Sequence, residues 1–510
     1  MAKNEIRLQY TGYIIFAAKI ISIATGLVFQ FMVARSTAKQ DYDIFFNLSD
    51  ILAYFTLLAG VVPFWVMRCV ARGKAGATKT GLATNLIFSM ISTVAYLAII
   101  PFVLPILFSG LGISNWTVYL PLYLLVSVQI TELYLMGLFE PCLQAVKPQT
   151  VGYGVLIQQI LKMVLGYVLI VQVGQPLVGA VTATIIAFAV QVGYYFKLNA
   201  VELKERIQWG YLREWLKGSV LNIYSVVGSQ IAAFIFILLF SLGGEGSRGI
   251  YGAAAQIANV ITYSSFLSFA LYPKLLADRK SEDVTDSLKT VLMFALPMTV
   301  GAIALANSYI ILLRVELVEF PGAALVLVVL ALDALVTVIS GIYGSVLFGV
   351  ETVDQEEMSV RSLIRSRLFK FYSLSYVHSA ITLPTTYFVL TTFAYQQPLE
   401  AALSVCVINS IVRFAMFIVL VTMVRKTFKV AIPWKAIGKY LLAASVMGIA
   451  LFLLPYSNRI STTLIWTAIG AAVYLTVLML IDKNSRELPK SVFQELRRKK
   501  KDKESEFEAG

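Results

Sequence analysis

DIFFNLSDILAYFTLLAGVVPFWVMRCVARGK, residues 43–74, is the stretch that decides the fold. Laid over GIYGAAAQIANVITYSSFLSFALYPKLLADRK, residues 249–280, at a constant offset of 206, it needs no gap across 32 residues. Identical pairs are Ile44/Ile250, Ile51/Ile257, Thr56/Thr262, Ala71/Ala277 and Lys74/Lys280, and Arg68 falls on Lys274. Both copies open on an aromatic residue and end in a basic cluster. Between those ends each holds an apolar run of about 20 residues, the length that crosses a bilayer as a helix. A duplicated membrane-crossing segment points to a chain built from internal repeats.

The composition agrees. Of 510 residues, 58% are hydrophobic and 14% charged, with a mean hydropathy of +0.77. A soluble domain carries roughly a quarter charged residues, so a soluble enzyme, a disordered chain and a disulfide scaffold are excluded. Fourteen apolar stretches can be drawn, at about 11–34, 44–67, 82–108, 117–139, 150–173, 176–196, 218–242, 249–272, 288–313, 322–349, 371–394, 399–424, 436–456 and 460–481. Backbone polar groups in lipid must pair within the segment, which makes each a helix, and period-two barrel strands are not seen. Pro63, Pro101, Pro105, Pro297 and Pro384 inside these stretches mark candidate kinks. The polar start, MAKNEIRLQY, reads as the lead into a retained first span. Cys69, Cys142 and Cys406 form no CxxC and read as core residues, and a lone histidine, His378, leaves little scope for metal chemistry.

A net charge of +13 would suggest nucleic acid in a soluble protein; here topology accounts for it. With the N-terminus in the cytoplasm, 34 of the 42 Lys and Arg fall in inside segments, 5 in outside loops (Arg35, Lys39, Arg248, Arg314, Arg459) and 3 within spans. Basic residues stay cytoplasmic in short loops, so both termini are placed inside and nucleic acid is not expected as a partner. An offset of six spans is even, so the copies share orientation as parallel repeats about an axis along the membrane normal. The expected fold is an all-α polytopic membrane protein of about 14 helices. Its N-lobe is 1–200 (spans 1–6), its C-lobe 201–430 (spans 7–12), with spans 13–14 in 431–482 and a basic cytoplasmic tail in 483–510.

Several segments resemble the polysaccharide-transport (oligosaccharide flippase, Wzx-like) branch of the multidrug/oligosaccharidyl-lipid/polysaccharide exporter superfamily. ARSTAKQDYDIFF (34–46) is similar to that family's segment after span 1, RGIYGAAAQIANVI (248–261) and ALYPKLLADRK (270–280) to the two ends of its span 8, and LVGAV (177–181) to the opening of its span 6. One departure stands out: the glycine usual after the tyrosine is Asp43. The resemblance implies a non-enzymatic flippase in the cell (plasma) membrane. It would move a polyprenyl- or dolichyl-linked sugar phosphate from the cytoplasmic to the outer leaflet by alternating access, for glycan or surface-polysaccharide assembly. Its partners would be the lipid-linked oligosaccharide, membrane lipids and the glycosyltransferases or polymerase/ligase of the pathway. No cofactor is implied.

Charges inside the spans are the candidate site, since each costs at least ~2.5 kcal/mol at mid-bilayer on insertion scales. Lys19 (span 1), Lys162 (span 5) and Arg413 (span 12), with Arg35 and Arg68 at span ends, could form a cationic path for a phosphate. The family places basic residues of span 1 on the central cavity, which favours Lys19. Asp50, Glu132 and Asp333 are candidates for ion coupling. A competing reading makes Lys19–Asp50 and Lys162–Glu132 structural ion pairs, and lets Arg413 pair with Asp333. Two rival functions stand beside the flippase. An ion-coupled multidrug exporter of the same superfamily would use the acids. A membrane glycosyltransferase would use Asp41-Tyr42-Asp43 as a D-x-D metal site, though a solvated turn of a nine-residue loop is the favoured reading of those residues. No Walker A pattern occurs, so the chain shows no ATPase site.

Overall fold

Long apolar runs leave the backbone one solution in lipid, and the chain adopts it. The computed structural model describes residues 21–22, 25–110, 113, 115–147, 149–268, 281–313, 322–350, 366–455, 457, 459–482 and 486, and all regular structure among them is helical. After helical residues 25–36 come α1 (Lys39–Phe55), α2 (Val61–Ala71), α3 (Ala77–Gly110), α4 (Leu120–Val146), α5 (Gln149–Gly166), α6 (Pro176–Leu198), α7 (Trp209–Gly218) and α8 (Val220–Leu242). Then follow α9 (Ser247–Thr262), α10 (Ser281–Ala304), α11 (Ala306–Leu312), α12 (Ala323–Val350), α13 (Arg367–Thr392), α14 (Pro398–Arg425), α15 (Trp434–Phe452) and α16 (Ile460–Ile481).

Ten helices among the described residues are long and apolar enough to cross a membrane. They coincide with ten of the fourteen expected spans. The expected second span is broken instead of continuous: α1 and α2 meet at a 59° bend. A single 3-10 turn, Leu57–Gly60, joins them. Pro63 therefore sits in the first turn of a new helix, where its missing N–H costs nothing, and the break precedes it. α13 is a continuous helix over the expected span 11 but is rich in Ser, Thr and Tyr and falls outside the ten. The first span, and the end of the eighth, lie partly outside the described residues.

The chain divides into two compact units: Met1–Gln256 with Leu313–Leu330 and Val350–Thr422, and Ile257–Leu312 with Ala331–Gly349 and Met423–Gly510. Among the described residues of unit 1, two apolar clusters stand out. One gathers Tyr96, Phe108, Tyr123, Ile130 and Tyr134 with Ile44, Leu48 and Phe240; the other gathers Val66, Leu138, Phe139, Tyr195 and Trp215. Helix α4 contributes to both and is the most enclosed span, with 56% of its apolar window buried against 17% for α16. Unit 2 packs α10, α15 and α16 around Leu296, Tyr440, Met447 and Tyr474, whose hydroxyl donates to the Met293 carbonyl at 2.6 Å. Outward-facing Met90, Phe102, Ile106, Phe452 and Leu453 are exposed and apolar, a surface that only lipid or another protein satisfies.

Between α6 and α8 the chain is not a plain loop. Helix α7 docks with its flanks on the turn between α2 and α3. Gln208 N donates to Thr80 Oγ1 at 2.8 Å, Gly76 N to the Glu205 carboxylate, and Trp65 Nε1 to Ser219 Oγ at 2.9 Å.

Candidate functional site

Helix α1 starts at Lys39, earlier than the apolar pattern indicates, so Asp41-Tyr42-Asp43 are helical and not a solvated turn. Hydropathy misplaces the boundary because this first turn is polar in sequence, although Tyr42 and Asp43 at its end are buried in the fold. Asp43 is 1% exposed. Its Oδ2 accepts from Gly246 N and its Oδ1 from Gly249 N, each at 2.5 Å. These are the orphan amides at the start of α9, and a carboxylate there also meets the positive end of the helix dipole. With both oxygens so engaged, Asp43 is a helix cap; Asp41 accepts separately from Tyr119 Oη at 3.2 Å. The two side chains do not converge on a metal-binding point, which removes the geometric basis of a D-x-D site.

Two turns along α1, Asp50 receives a bidentate grip from Arg248, Nε to Oδ2 at 2.6 Å and Nη2 to Oδ1 at 2.8 Å. The guanidinium is buried among the rings of Phe46, Phe236 and Tyr251, at 5.0, 4.8 and 5.9 Å from their centroids. Sequence reading counts Arg248 as an outside-loop residue and offers Lys19 as the mate of Asp50; the fold gives Arg248 instead. Lys19 lies outside the described residues.

The glycines of α9 make this approach possible. A Cβ on Gly249 would fall 2.9 Å from the Tyr42 ring, and one on Gly252 would fall 2.5 Å from Phe46. Both contacts, Asp43 with Gly249 and Phe46 with Gly252, join residues 206 apart, which is the offset of the repeat. Equivalent residues of a twofold repeat meet each other only beside the axis. The contacts between α1 and α9 thus join positions that the sequence repeat aligns, as residues beside a repeat axis would be joined. The same end of unit 1 is closed further. A Cβ on Gly110 would meet the Ser241 carbonyl, Gln396 N donates to Leu242 O at 3.2 Å, and Gln396 Nε2 donates to Gly110 O.

The other charges behave differently. Lys162 Nζ stands 5.0 Å from the centroid of Phe29 and makes no ion pair among the described residues. Glu132, the mate proposed for it, is 6% exposed, and its Oε2 accepts no hydrogen bond. That expected hairpin pair is thus not formed: the two helices are sequence neighbours, but these side chains do not meet. Arg35 lies over Phe31 at 4.4 Å and is exposed. Arg68 covers Phe64 and Trp65 at 4.5 and 5.5 Å. Arg413 acts electrostatically on His378, which is buried and hydrogen-bonds the Asn409 backbone. Asp333 is buried in unit 2, and Arg413 belongs to unit 1. Lys162, Arg68 and Arg413 thus lie on three separate helices, with aromatic rings beside the first two. Among the described residues, no three or more His, Cys, Asp or Glu are grouped to hold a metal.

Neither a protein-family model nor any curated protein matches the chain. Solved structures do. A structure of "Lipid II flippase MurJ, inward closed conformation" superposes with a TM-score of 0.66 at 17% identity, covering 91% of this chain and 97% of that one. An inward-facing multidrug resistance MATE family transporter of the MOP superfamily gives 0.58 at 15%, covering 82% and 99%. A MOP superfamily transporter from Pyrococcus furiosus gives 0.53 at 15%, covering 82% and 95%. These superpositions, at 15–17% identity, show that the chain shares the fold of those structures.

Proposed function

We propose that this protein is a flippase for a lipid-linked oligosaccharide, carrying a polyprenyl- or dolichyl-linked sugar phosphate across the bilayer by alternating access between two six-span lobes. The observation that carries the reading is the imbalance of intramembrane charge in unit 1. Asp50 is paired with Arg248, whereas Lys162 lies over an aromatic ring and makes no ion pair among the described residues. A basic group left unpaired in lipid has a use when an anion arrives, and a sugar-linked phosphate is such an anion. Lys19, Lys162 and Arg413 are assigned to the phosphate, with Arg35 and Arg68 at the ends of its path. The charge count places Asp43 and Arg248 at the outer end. The contacts there then belong to a state sealed from outside, in keeping with the inward conformations of the two flippase and MATE structures cited above. The positive-inside count likewise supports a multi-pass plasma-membrane protein with both termini in the cytoplasm.

The test is reconstitution in vesicles with a fluorescent lipid-linked oligosaccharide. A charge-assisted contact contributes about 1.5–3 kcal/mol, so Lys19→Ala and Lys162→Ala are each expected to slow translocation roughly ten- to hundredfold, since about 1.4 kcal/mol is a factor of ten. Equal translocation in protein-free vesicles removes the flippase reading. The second reading, an exporter of cationic drugs, has the unpartnered Glu132 in its favour. Accumulation of a cationic dye that depends on Glu132, with no movement of the lipid-linked sugar, would establish it instead.

A further inference from the structure

Helix α7, between α6 and α8, has one face that the fold uses and one that it leaves open. Tyr211, Trp215 and Gly218, each about one turn from the next, face inward. Trp215 is buried and stacks on Tyr211 at 5.7 Å. The Tyr211 hydroxyl donates to the Ala75 carbonyl at 3.4 Å, and Lys74 Nζ stands 5.6 Å from the centroid of its ring. A Cβ on Gly218 would run into the Trp65 ring. Gly76, with a φ of +76° that favours glycine, lets the Arg206 carbonyl lie against it. With the hydrogen bonds of Gly76, Trp65 and Gln208, these contacts hold α7 in one orientation. Its opposite face is thereby fixed too.

That opposite face carries Trp209, Arg213, Leu216 and Lys217, at the i, i+4, i+7, i+8 spacing that lines one side of a helix. Trp209 is 52% exposed and Leu216 40%. Arg213 and Lys217 are exposed and make no ion pair among the described residues. The acids of the segment are placed elsewhere. Glu205 is engaged by the Gly76 amide, and Glu214 sits about 100° round the helix from Arg213. Ser219 alone separates α7 from α8, a candidate span whose first residue, Val220, is apolar and exposed. The open face therefore stands where a span meets the head groups. An indole and a leucine beside basic side chains, at that level, are the composition of a helix lying in the interface. Two cations with no acid between them complement a head group of net negative charge.

We infer that the open face of α7 binds the head group of an anionic phospholipid, in the cytoplasmic leaflet by the positive-inside count. Arg213 and Lys217 meet the phosphate, and Trp209 and Leu216 enter the acyl boundary. The same helix is tied to the turn between α2 and α3 and leads into α8, so a lipid held there steadies both. The face needs no cargo, and its binding stands apart from the flippase reading.

Fluorescence quenching by brominated lipids tests the face on the whole protein, in vesicles of phosphatidylcholine and phosphatidylglycerol. The signal is the part of the tryptophan emission that is lost in Trp209→Phe. Each basic residue near an anionic surface raises local occupancy roughly fivefold. Half-quenching is therefore expected at no more than about a fifth as much brominated phosphatidylglycerol as brominated phosphatidylcholine. The preference should vanish in Arg213→Gln with Lys217→Gln and persist in the charge-keeping pair Arg213→Lys with Lys217→Arg. It should weaken at about 1 M salt, where the screening length is about 3 Å. Lys426→Gln with Lys429→Gln removes an exposed basic pair outside α7 and should leave it unchanged. Equal quenching by the two lipids in the wild type, or no quenching by either, overturns the proposal. So does a preference that survives the Arg213 and Lys217 glutamine pair, or one lost equally in the Lys426 and Lys429 pair.

Discussion

The α1–α9 contact and the interior of the α3–α4–α5 region lie in the same unit and solve the same problem in opposite ways. Each buries charge in a low-dielectric setting. At α1–α9 every charge is matched: Asp43 by two amides, Asp50 by a two-pronged guanidinium, and the guanidinium by three rings. In the α3–α4–α5 region Glu132 and Lys162 each stand without an ionic mate among the described residues. Matched groups fix a geometry. Unmatched groups are free to take a ligand, and they cost stability until they do. On the proposed function, the first region would seal one end and the second would be where cargo binds.

The sharpest way to break the comparison is Arg248→Ala. It leaves Asp50 as an uncompensated buried charge, which typically costs 3–5 kcal/mol. The expected outcome is a large fall in the thermal midpoint, together with reaction of a cysteine introduced at Ser247, now buried, with a water-soluble maleimide. Replacing both partners, Asp50→Asn with Arg248→Met, should recover much of the midpoint, because no charge is then left alone. If the single and double variants unfold alike, the pair is not what holds this end together.

A smaller effect of opposite sign is expected in the other region. Lys162→Met removes an unpaired cation whose insertion costs about 2.5–3.5 kcal/mol, and gives up a ring contact worth roughly 0.5–2 kcal/mol. The protein should gain about 0.5–3 kcal/mol by that difference, visible as a higher midpoint, while translocation falls. A loss of stability instead would mean that Lys162 is matched after all.

Much of this was legible in the sequence, and the limits have physical causes. Apolar length placed ten of the spans, since the requirement that lipid imposes on backbone groups is read directly from composition. The repeat offset held the axis contacts as well, because Asp43 over Gly249 and Phe46 over Gly252 were already aligned. Hydropathy could not show that aligned positions touch. It also could not place Arg248, because a guanidinium buried by one carboxylate and three rings has the same local sequence as one exposed in a loop. Nor could it find the break after Phe55: no proline stands there, and LLAG reads as apolar helix. Pairing was the least legible property. Adjacent spans 4 and 5 make Lys162 and Glu132 natural partners by position, yet the fold forms no ion pair between them.

The smallest and most discriminating change is Asp43→Asn. The side chain keeps one acceptor oxygen but turns an NH2 group toward an amide that needs an acceptor, and it loses the charge facing the start of α9. A carboxylate at a helix N-terminus contributes about 0.3–1 kcal/mol, rising to ~2 kcal/mol when partly buried. The expected fall is therefore about 1 kcal/mol, well short of the Arg248 variant. Its effect on maleimide access at Ser247 separates two views of the seal. If the amide cap alone positions α9 against α1, access should rise as much as in Arg248→Ala despite the smaller loss of stability. If the ion pair positions α9 and Asp43 only satisfies its amides, access should stay at the wild-type level. The fold favours the second outcome: Arg248 grips Asp50 two turns from the cap, and the close approach of Gly252 to Phe46 does not involve residue 43.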